Sequence, residues 1–236
     1  MASKVSIKAR IYLDWDLTAA CFSFDGDQVA TPDAVKDVLK STYDSGDDTT
    51  KQDDDVKYVA AYMKGLLKPL LERYPDRITI LTANSASNVE KICTQYEIDI
   101  PEEIYSVYDQ KVYDQKVTKL KYLSDKKYFM FLDDSEKEIQ SVKSLASEGV
   151  IEKIVRPKLN SPATNCGMFG KLNTEFFAQK YERFAPEGKW NWYAYIDACL
   201  IDLDKGELPE WQQQPLFESA ESAQYRTFVH LCRKKT

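Results

Sequence analysis

The sequence predicts an α/β fold built on a parallel β-sheet with helices against both faces. Short apolar runs rich in β-branched and aromatic residues recur through the first two thirds of the chain, as expected for buried strands. Segments with helical spacing of apolar residues separate these runs. Such alternation is typical of parallel sheets, because a helix carries the chain back to the edge where the next strand begins. In these folds the functional site lies at the carboxyl ends of the strands.

Five predicted strands alternate with predicted helices. The strands are expected at 11–13, 78–81, 104–107, 128–132 and 150–155, and the helices at 33–43, 56–73, 85–96, 116–124 and 135–147. In the second helix, residues such as Val59, Met63 and Leu70 form one apolar stripe. Pro69 should kink this helix or begin a new one. The acidic run at 44–55 has the composition of a solvated loop.

The alternation of strand-like and helix-like patterns ends after Pro157. This change divides the chain into a core at 1–158 and a helical C-terminal extension at 159–236. A loop leads to three predicted helices at 171–184, 190–203 and 218–233, which are rich in aromatic residues. The ordinary interpretation of these aromatics is packing on the core. The alternative is a substrate or partner surface, since aromatic side chains are favoured in binding hot spots.

Composition excludes several classes of function. The net charge of −6 argues against general nucleic-acid binding, which needs a basic face. No apolar run approaches the roughly 18 residues of a membrane span, and the N-terminal segment lacks the apolar core of a secretory signal. Five scattered cysteines make a poor disulfide framework and a poor zinc site. We therefore expect a cytoplasmic protein without a membrane span, and the oligomeric state stays open.

Acidic and hydroxyl side chains cluster where the first strand ends. Asp14 and Asp16 stand two positions apart, and Thr18 closes the turn that follows. Side chains two apart on an extended chain point the same way, so both carboxylates can face one site. Converging carboxylates at a strand end suit the binding of a hard cation and covalent catalysis by a carboxylate.

Other strands deliver matching groups. Thr82 ends the second strand just before a helix, whose free N–H groups favour an anion. Asp133 and Asp134 end the fourth strand, and Lys116 and Lys119 precede it in a short helix. Two acidic pairs, one hydroxyl and one lysine form a set for phosphoryl transfer: the acids hold Mg²⁺, the metal and lysine neutralise phosphate oxygens, and one aspartate attacks phosphorus.

The order of these residues resembles the four motifs of the haloacid dehalogenase superfamily. The resemblance covers roughly residues 8–156 and implies a Rossmann-like core. It rests on Asp14-x-Asp16-x-Thr18, Thr82, Lys116 and Asp133-Asp134.

The resemblance also implies a role for each of the acidic residues. Asp14 would be the nucleophile that forms a phospho-aspartate, and Asp16 the general acid and base. The carboxylates of Asp14 and Asp133 and the backbone carbonyl of Asp16 would bind Mg²⁺, with Asp134 and Thr18 supporting the site.

The phosphoryl oxygens would be held by Thr82, Ala83 and Lys116. The run that begins at Lys116, Lys-Val-Thr-Lys-Leu, resembles a run of the magnesium-dependent phosphatases with a minimal cap. Lys119 is the alternative for this lysine.

The resemblance and the spacing of the motifs suggest the substrate class. In this superfamily, aspartate at the second motif position usually marks phosphatases. The intervals between the motifs leave no comfortable room for a large cap, and only a small flap is expected near 20–30. An open site admits an accessible phosphomonoester, including phosphotyrosine on a protein. Trp15, Phe22 and Phe24 could pack against an aryl phosphate, although ordinary core or flap packing explains them too.

Two further functions stay open: a small-metabolite phosphatase with the extension as its lid, and an inactive phosphate-binding or scaffold protein. Other chemistries are excluded: a single histidine, His230, leaves no Ser-His-Asp triad, and the chain has neither a C-x5-R loop nor a nucleotide-binding P-loop. The composition would also suit a bacterial effector phosphatase delivered into a host cytosol.

Overall fold

One parallel sheet organises the computed structural model, which describes residues 8–23, 37, 49–106, 128–158 and 161–213. Its strands are β1 Arg10–Leu13, β2 Ile78–Thr82, β3 Ile104–Ser106, β4 Phe129–Asp133 and β5 Gly149–Lys153. They lie in the order β3-β2-β1-β4-β5, and every pair is parallel. The predicted α/β class, a parallel sheet flanked by helices, is confirmed. The chain builds one side of β1 first and then the other, so the topological switch point lies between β1 and β4.

The helices that the structure describes are α1 Thr49–Tyr62, α2 Lys68–Arg73, α3 Ala86–Gln95, α4 Glu136–Val142, α5 Lys171–Lys180, α6 Trp192–Leu203 and α7 Glu210–Gln213. The helices predicted at 116–124 and 218–233, and that at 33–43 apart from residue 37, lie outside the described residues. Among the described helices, none combines the length and the apolar character that crossing a membrane requires.

The long helical segment before β2 differs in part from the prediction. α1 begins at Thr49, so the prediction of a loop is wrong for the second half of the acidic run at 44–55. Composition alone cannot separate a solvated loop from the exposed first turns of a helix, and residues 49–55 contain no glycine or proline to stop one. A wide turn at Met63–Leu67 then allows Pro69 to stand in the first turn of α2, as predicted.

Both faces of the sheet are buried, which explains why its strands are almost continuously apolar. On β1, Ile11 and Leu13 contribute to the large apolar cluster on one face, and Tyr12 contributes to a smaller cluster on the other. Side chains from α1, α3 and the extension cover the first face, and side chains from α4 cover the second.

The extension shares the core of the sheet rather than resting on its surface. Buried residues from 163 to 203 belong to the same apolar cluster as β1 and β4. Glu152 of β5, almost fully buried, accepts hydrogen bonds from the hydroxyls of Tyr181 and Tyr195 at 2.6 and 2.5 Å, and pairs with Lys180. Burial and the Glu152 carboxylate raise the pKa of both tyrosines well above its usual value, so both hydroxyls stay protonated and donate.

Candidate functional site

Three aspartates meet where β1 and β4 end. These strands are neighbours, with Leu13 in register with Leu132, and the Asp14 N–H donates to the Leu132 carbonyl at 3.0 Å. Carboxylate oxygens of Asp14, Asp133 and Asp134 all lie within 4.8 Å of one another. The three residues are only 4, 0 and 8% exposed. We call them the carboxylate cluster; it lies at the topological switch point, where parallel α/β folds bind ligands.

Local hydrogen bonds fix Asp133 in place. Its Oδ1 accepts the N–H of Ser135 at 2.8 Å, and its backbone carbonyl accepts the N–H of Ile154 at 2.9 Å. Ser135 caps α4 by accepting the N–H of Glu138. One side-chain oxygen and the backbone are therefore held before any ligand binds.

The donor set of the cluster fits a hard divalent cation. Carboxylate oxygens are ligands that Mg²⁺ prefers, and at metal–oxygen distances of about 2.0–2.1 Å adjacent ligands lie about 3 Å apart. The spacing of the three oxygens, within 4.8 Å of one another, allows them to face one shared ion. Three buried carboxylates also repel one another, and a cation would relieve that repulsion.

Asp16 does not join the carboxylate cluster with its side chain. The strand ends at Leu13, and the chain enters a wide turn in which the N–H of Ala19 donates to the Asp14 carbonyl at 3.1 Å. Within this turn Asp16 is extended and Leu17 has a positive φ of 57°. The rule that side chains two positions apart point the same way therefore does not extend from Asp14 to Asp16. The Asp16 Oδ1 instead accepts a hydrogen bond from Asn84 Nδ2 at 3.3 Å. Metal binding by the Asp16 carbonyl stays a prediction.

The segment after β2 presents a residue that sequence reasoning missed. Thr82 is fully buried, and its hydroxyl accepts the N–H of Asn84 at 3.0 Å. Ala83 is exposed. Asn84 connects this segment to Asp16, and its Oδ1 accepts the N–H of Ser85 at 2.8 Å. The signal was available, since Asn84 is a polar residue at the same strand–helix junction as Thr82.

The extension contacts the turn that carries the first motif. The Thr18 carbonyl accepts the N–H of Met168 at 2.8 Å, and the Met168 carbonyl accepts Nε1–H of Trp192 at 2.8 Å. The Thr18 hydroxyl is buried and has no hydrogen-bond partner within the described part of the chain. No pattern in the sequence indicated that Met168 and Trp192 support this turn.

The aromatic neighbours of the motif pack in the core where the structure describes them. Trp15 and Phe22 are both fully buried, so ordinary packing, rather than contact with an aryl phosphate, accounts for them. Phe24, most of the flap predicted near 20–30, Lys116 and Lys119 lie outside the described residues.

Arg156 is another residue that the sequence did not single out. It follows β5 at the same edge of the sheet, and its Nε lies 3.2 Å from Oδ2 of Asp134. A basic residue just beyond a predicted strand was the signal available for it.

Comparisons with known proteins found no matching family model, no matching curated protein and no matching solved structure. The parallel sheet and the buried carboxylate cluster therefore stand on the coordinates alone. These comparisons assign the chain to no family.

Proposed function

We propose that the protein is a Mg²⁺-dependent phosphatase of the haloacid dehalogenase type, which hydrolyses phosphomonoesters through a phospho-aspartate. The observation that supports it best is the carboxylate cluster: Asp14 and Asp133, far apart in sequence, have carboxylate oxygens within 4.8 Å of each other. The motif order requires this proximity, because both residues would ligate one ion. A separation beyond about 10 Å would have ended the proposal, since no shared ion spans it.

In the proposed reaction Asp14 attacks phosphorus and Asp16 handles the protons. An Asp14 oxygen forms a bond to phosphorus as the bond to the leaving oxygen breaks, and Asp16 gives that oxygen a proton. Asp16 then takes a proton from water, whose oxygen attacks phosphorus and releases phosphate and the free Asp14 carboxylate. Asn84 holds Asp16 through its amide. A bound cation would neutralise charge on the phosphoryl oxygens.

For the substrate we propose an accessible aryl phosphate, with phosphotyrosine on a protein as the leading case. Its support is the motif spacing, which leaves little room for a large cap; Trp15 and Phe22 add nothing because they are buried. The lid alternative has weaker support, because buried residues from 163 to 203 would have to leave the core for a lid to open.

Hydrolysis of p-nitrophenyl phosphate tests the proposal. Wild type should be active with Mg²⁺ and inactive after chelation. Asp14→Asn should lower kcat by roughly 10⁴–10⁶, as removal of a nucleophile does, and Asp16→Asn by several orders of magnitude. Asp76→Asn is the matched control, since Asp76 is exposed beside the opposite end of β2.

Two outcomes would contradict the proposal. Turnover that needs no metal and survives Asp14→Asn would reject an aspartyl nucleophile. Metal binding has its own readout: Mg²⁺ should raise the thermal midpoint of wild type and not that of Asp133→Asn. Equal shifts for both proteins would reject the carboxylate cluster as the binding site.

A further inference from the structure

Arg156 places a cation at the rim of the carboxylate cluster. Its Nε lies 3.2 Å from Oδ2 of Asp134, whose carboxylate belongs to the cluster. The Arg156 side chain is 61% exposed, whereas that of Asp134 is 7% exposed. The guanidinium therefore lies between the buried carboxylates and the solvent.

Most of the hydrogen-bonding capacity of Arg156 is unused. A guanidinium carries five N–H donors, and within the described residues the one contact that the structure gives it is the ion pair with Asp134. An ion pair with one side in solvent contributes little to stability, so folding alone does not account for this arrangement. Donors remain for a ligand that reaches the cluster.

The backbone beside Arg156 is held firmly. The preceding residue, Val155, gives its N–H to Asn173 Oδ1 at 2.6 Å and receives Asn173 Nδ2–H on its carbonyl at 3.1 Å. Lys153, the nearby cation in register with Asp133, is engaged by Glu136. Arg156 is thus the better placed of these two cations to meet an anion from outside.

We propose that Arg156 is a specificity-determining residue that binds a carboxylate of the phosphorylated substrate. The proposal rests on the proposed phosphatase function: with the phosphoryl group at the carboxylate cluster, the leaving-group side of the substrate meets the guanidinium. The planar guanidinium matches a carboxylate and binds it with charge-assisted hydrogen bonds. The carboxylate comes either from a small substrate itself or from an acidic side chain beside a phosphorylated residue in a protein.

Two matched substrate pairs test this proposal. N-acetyl-phosphotyrosine and its amide share a leaving group and differ by one carboxylate; phosphotyrosine peptides with Asp or Asn beside the phosphotyrosine form the second pair. Arg156→Gln should lower the acid-to-neutral ratio of kcat/KM about tenfold, mainly through KM, as expected for one solvent-facing charge-assisted hydrogen bond. Arg156→Lys should lower it less. Lys171→Gln, which removes an exposed charge on α5, should leave the ratio unchanged.

Each outcome decides something. A fall in the acid-to-neutral ratio for the first pair supports a small carboxylate substrate, and a fall in this ratio for the peptide pair supports a phosphoprotein. An acid-to-neutral ratio of kcat/KM that Arg156→Gln leaves unchanged overturns the proposal. An equal loss of kcat/KM on acid and neutral substrates with a shifted Mg²⁺ requirement also overturns it, because Arg156 then only positions Asp134. Turnover of p-nitrophenyl phosphate with none of the tyrosine phosphates also overturns it. A wild type inactive on every substrate instead rejects the proposed function, and this proposal with it.

Discussion

Replacing Asn173 with alanine should lower the free energy of unfolding by about 3–5 kcal/mol. Asn173 is 0% exposed and makes three hydrogen bonds with its side chain. Its Oδ1 accepts the N–H of Val155 at 2.6 Å, and its Nδ2 donates to the carbonyls of Val155 and Gly167 at 3.1 and 2.9 Å. These bonds connect the end of β5 to the segment that supports Thr18.

The magnitude follows from what the substitution leaves behind. Alanine would leave the buried N–H of Val155 without a hydrogen-bond acceptor, at a cost of about 1–3 kcal/mol. It would also remove one hydrogen-bond donor from each of the carbonyls of Val155 and Gly167, at about 1 kcal/mol each. Asn191→Ala is the matched control, because Asn191 is exposed and its side chain makes one hydrogen bond, in which it accepts the N–H of Ala194 at 3.1 Å. Losing that helix cap should cost about 1 kcal/mol.

Urea unfolding at 25 °C measures both variants. The reasoning is refuted if Asn173→Ala costs no more than Asn191→Ala. If the alanine variant does not fold, hydrogen exchange in wild type tests the same bond: the Val155 amide should be among the slowest to exchange. Rapid exchange of that amide would contradict the argument equally well.

Two more substitutions test other contacts. Burial raises the pKa of Asp204, but hydrogen bonds from Arg77 and from the Ala9 N–H outweigh it and hold the pKa below its usual value. A carboxyl group whose pKa is lowered by folding stabilises the fold at pH values above its unfolded pKa, and this stabilisation is lost as the pH falls. Asp204→Asn should therefore lower the free energy of unfolding in urea, and the difference from wild type should shrink below about pH 4. A difference independent of pH would contradict this. Thr18→Val should leave the free energy of unfolding unchanged or raise it by up to about 1 kcal/mol, because the buried hydroxyl lacks a partner in the described structure. A thermal-unfolding loss beyond that would show that the hydroxyl is bonded in the folded protein.

That Asp14 and Asp133 share one edge of the sheet was predictable from strand direction, whereas their proximity also required β1 and β4 to be neighbours. Each follows or ends an apolar run, and the carboxyl ends of parallel strands share one edge. The direction of Asp16 was less predictable. The extended-chain rule assumes that the strand continues, and the turn after Leu13, with its positive φ at Leu17, breaks that assumption.

Helix boundaries show a different failure. The acidic residues before Val56 have the composition of a loop, yet α1 already begins at Thr49. Exposed helical turns and solvated loops draw on the same polar residues, so composition distinguishes them poorly.

Alone, then, the sequence determined the parallel α/β sheet and placed the two acidic strand ends at one edge of it, because periodicity and chain direction are local properties. Only the tertiary structure decided that Asn173 holds the end of β5, that Glu152 binds the extension, and that Arg156 lies beside Asp134. Asn173 bonds to Val155, 18 residues away, and Glu152 to Tyr195, 43 residues away. Arg156 reaches Asp134, which follows the neighbouring strand of the sheet. No local pattern encodes such pairs, because they depend on how the chain packs after its elements have formed.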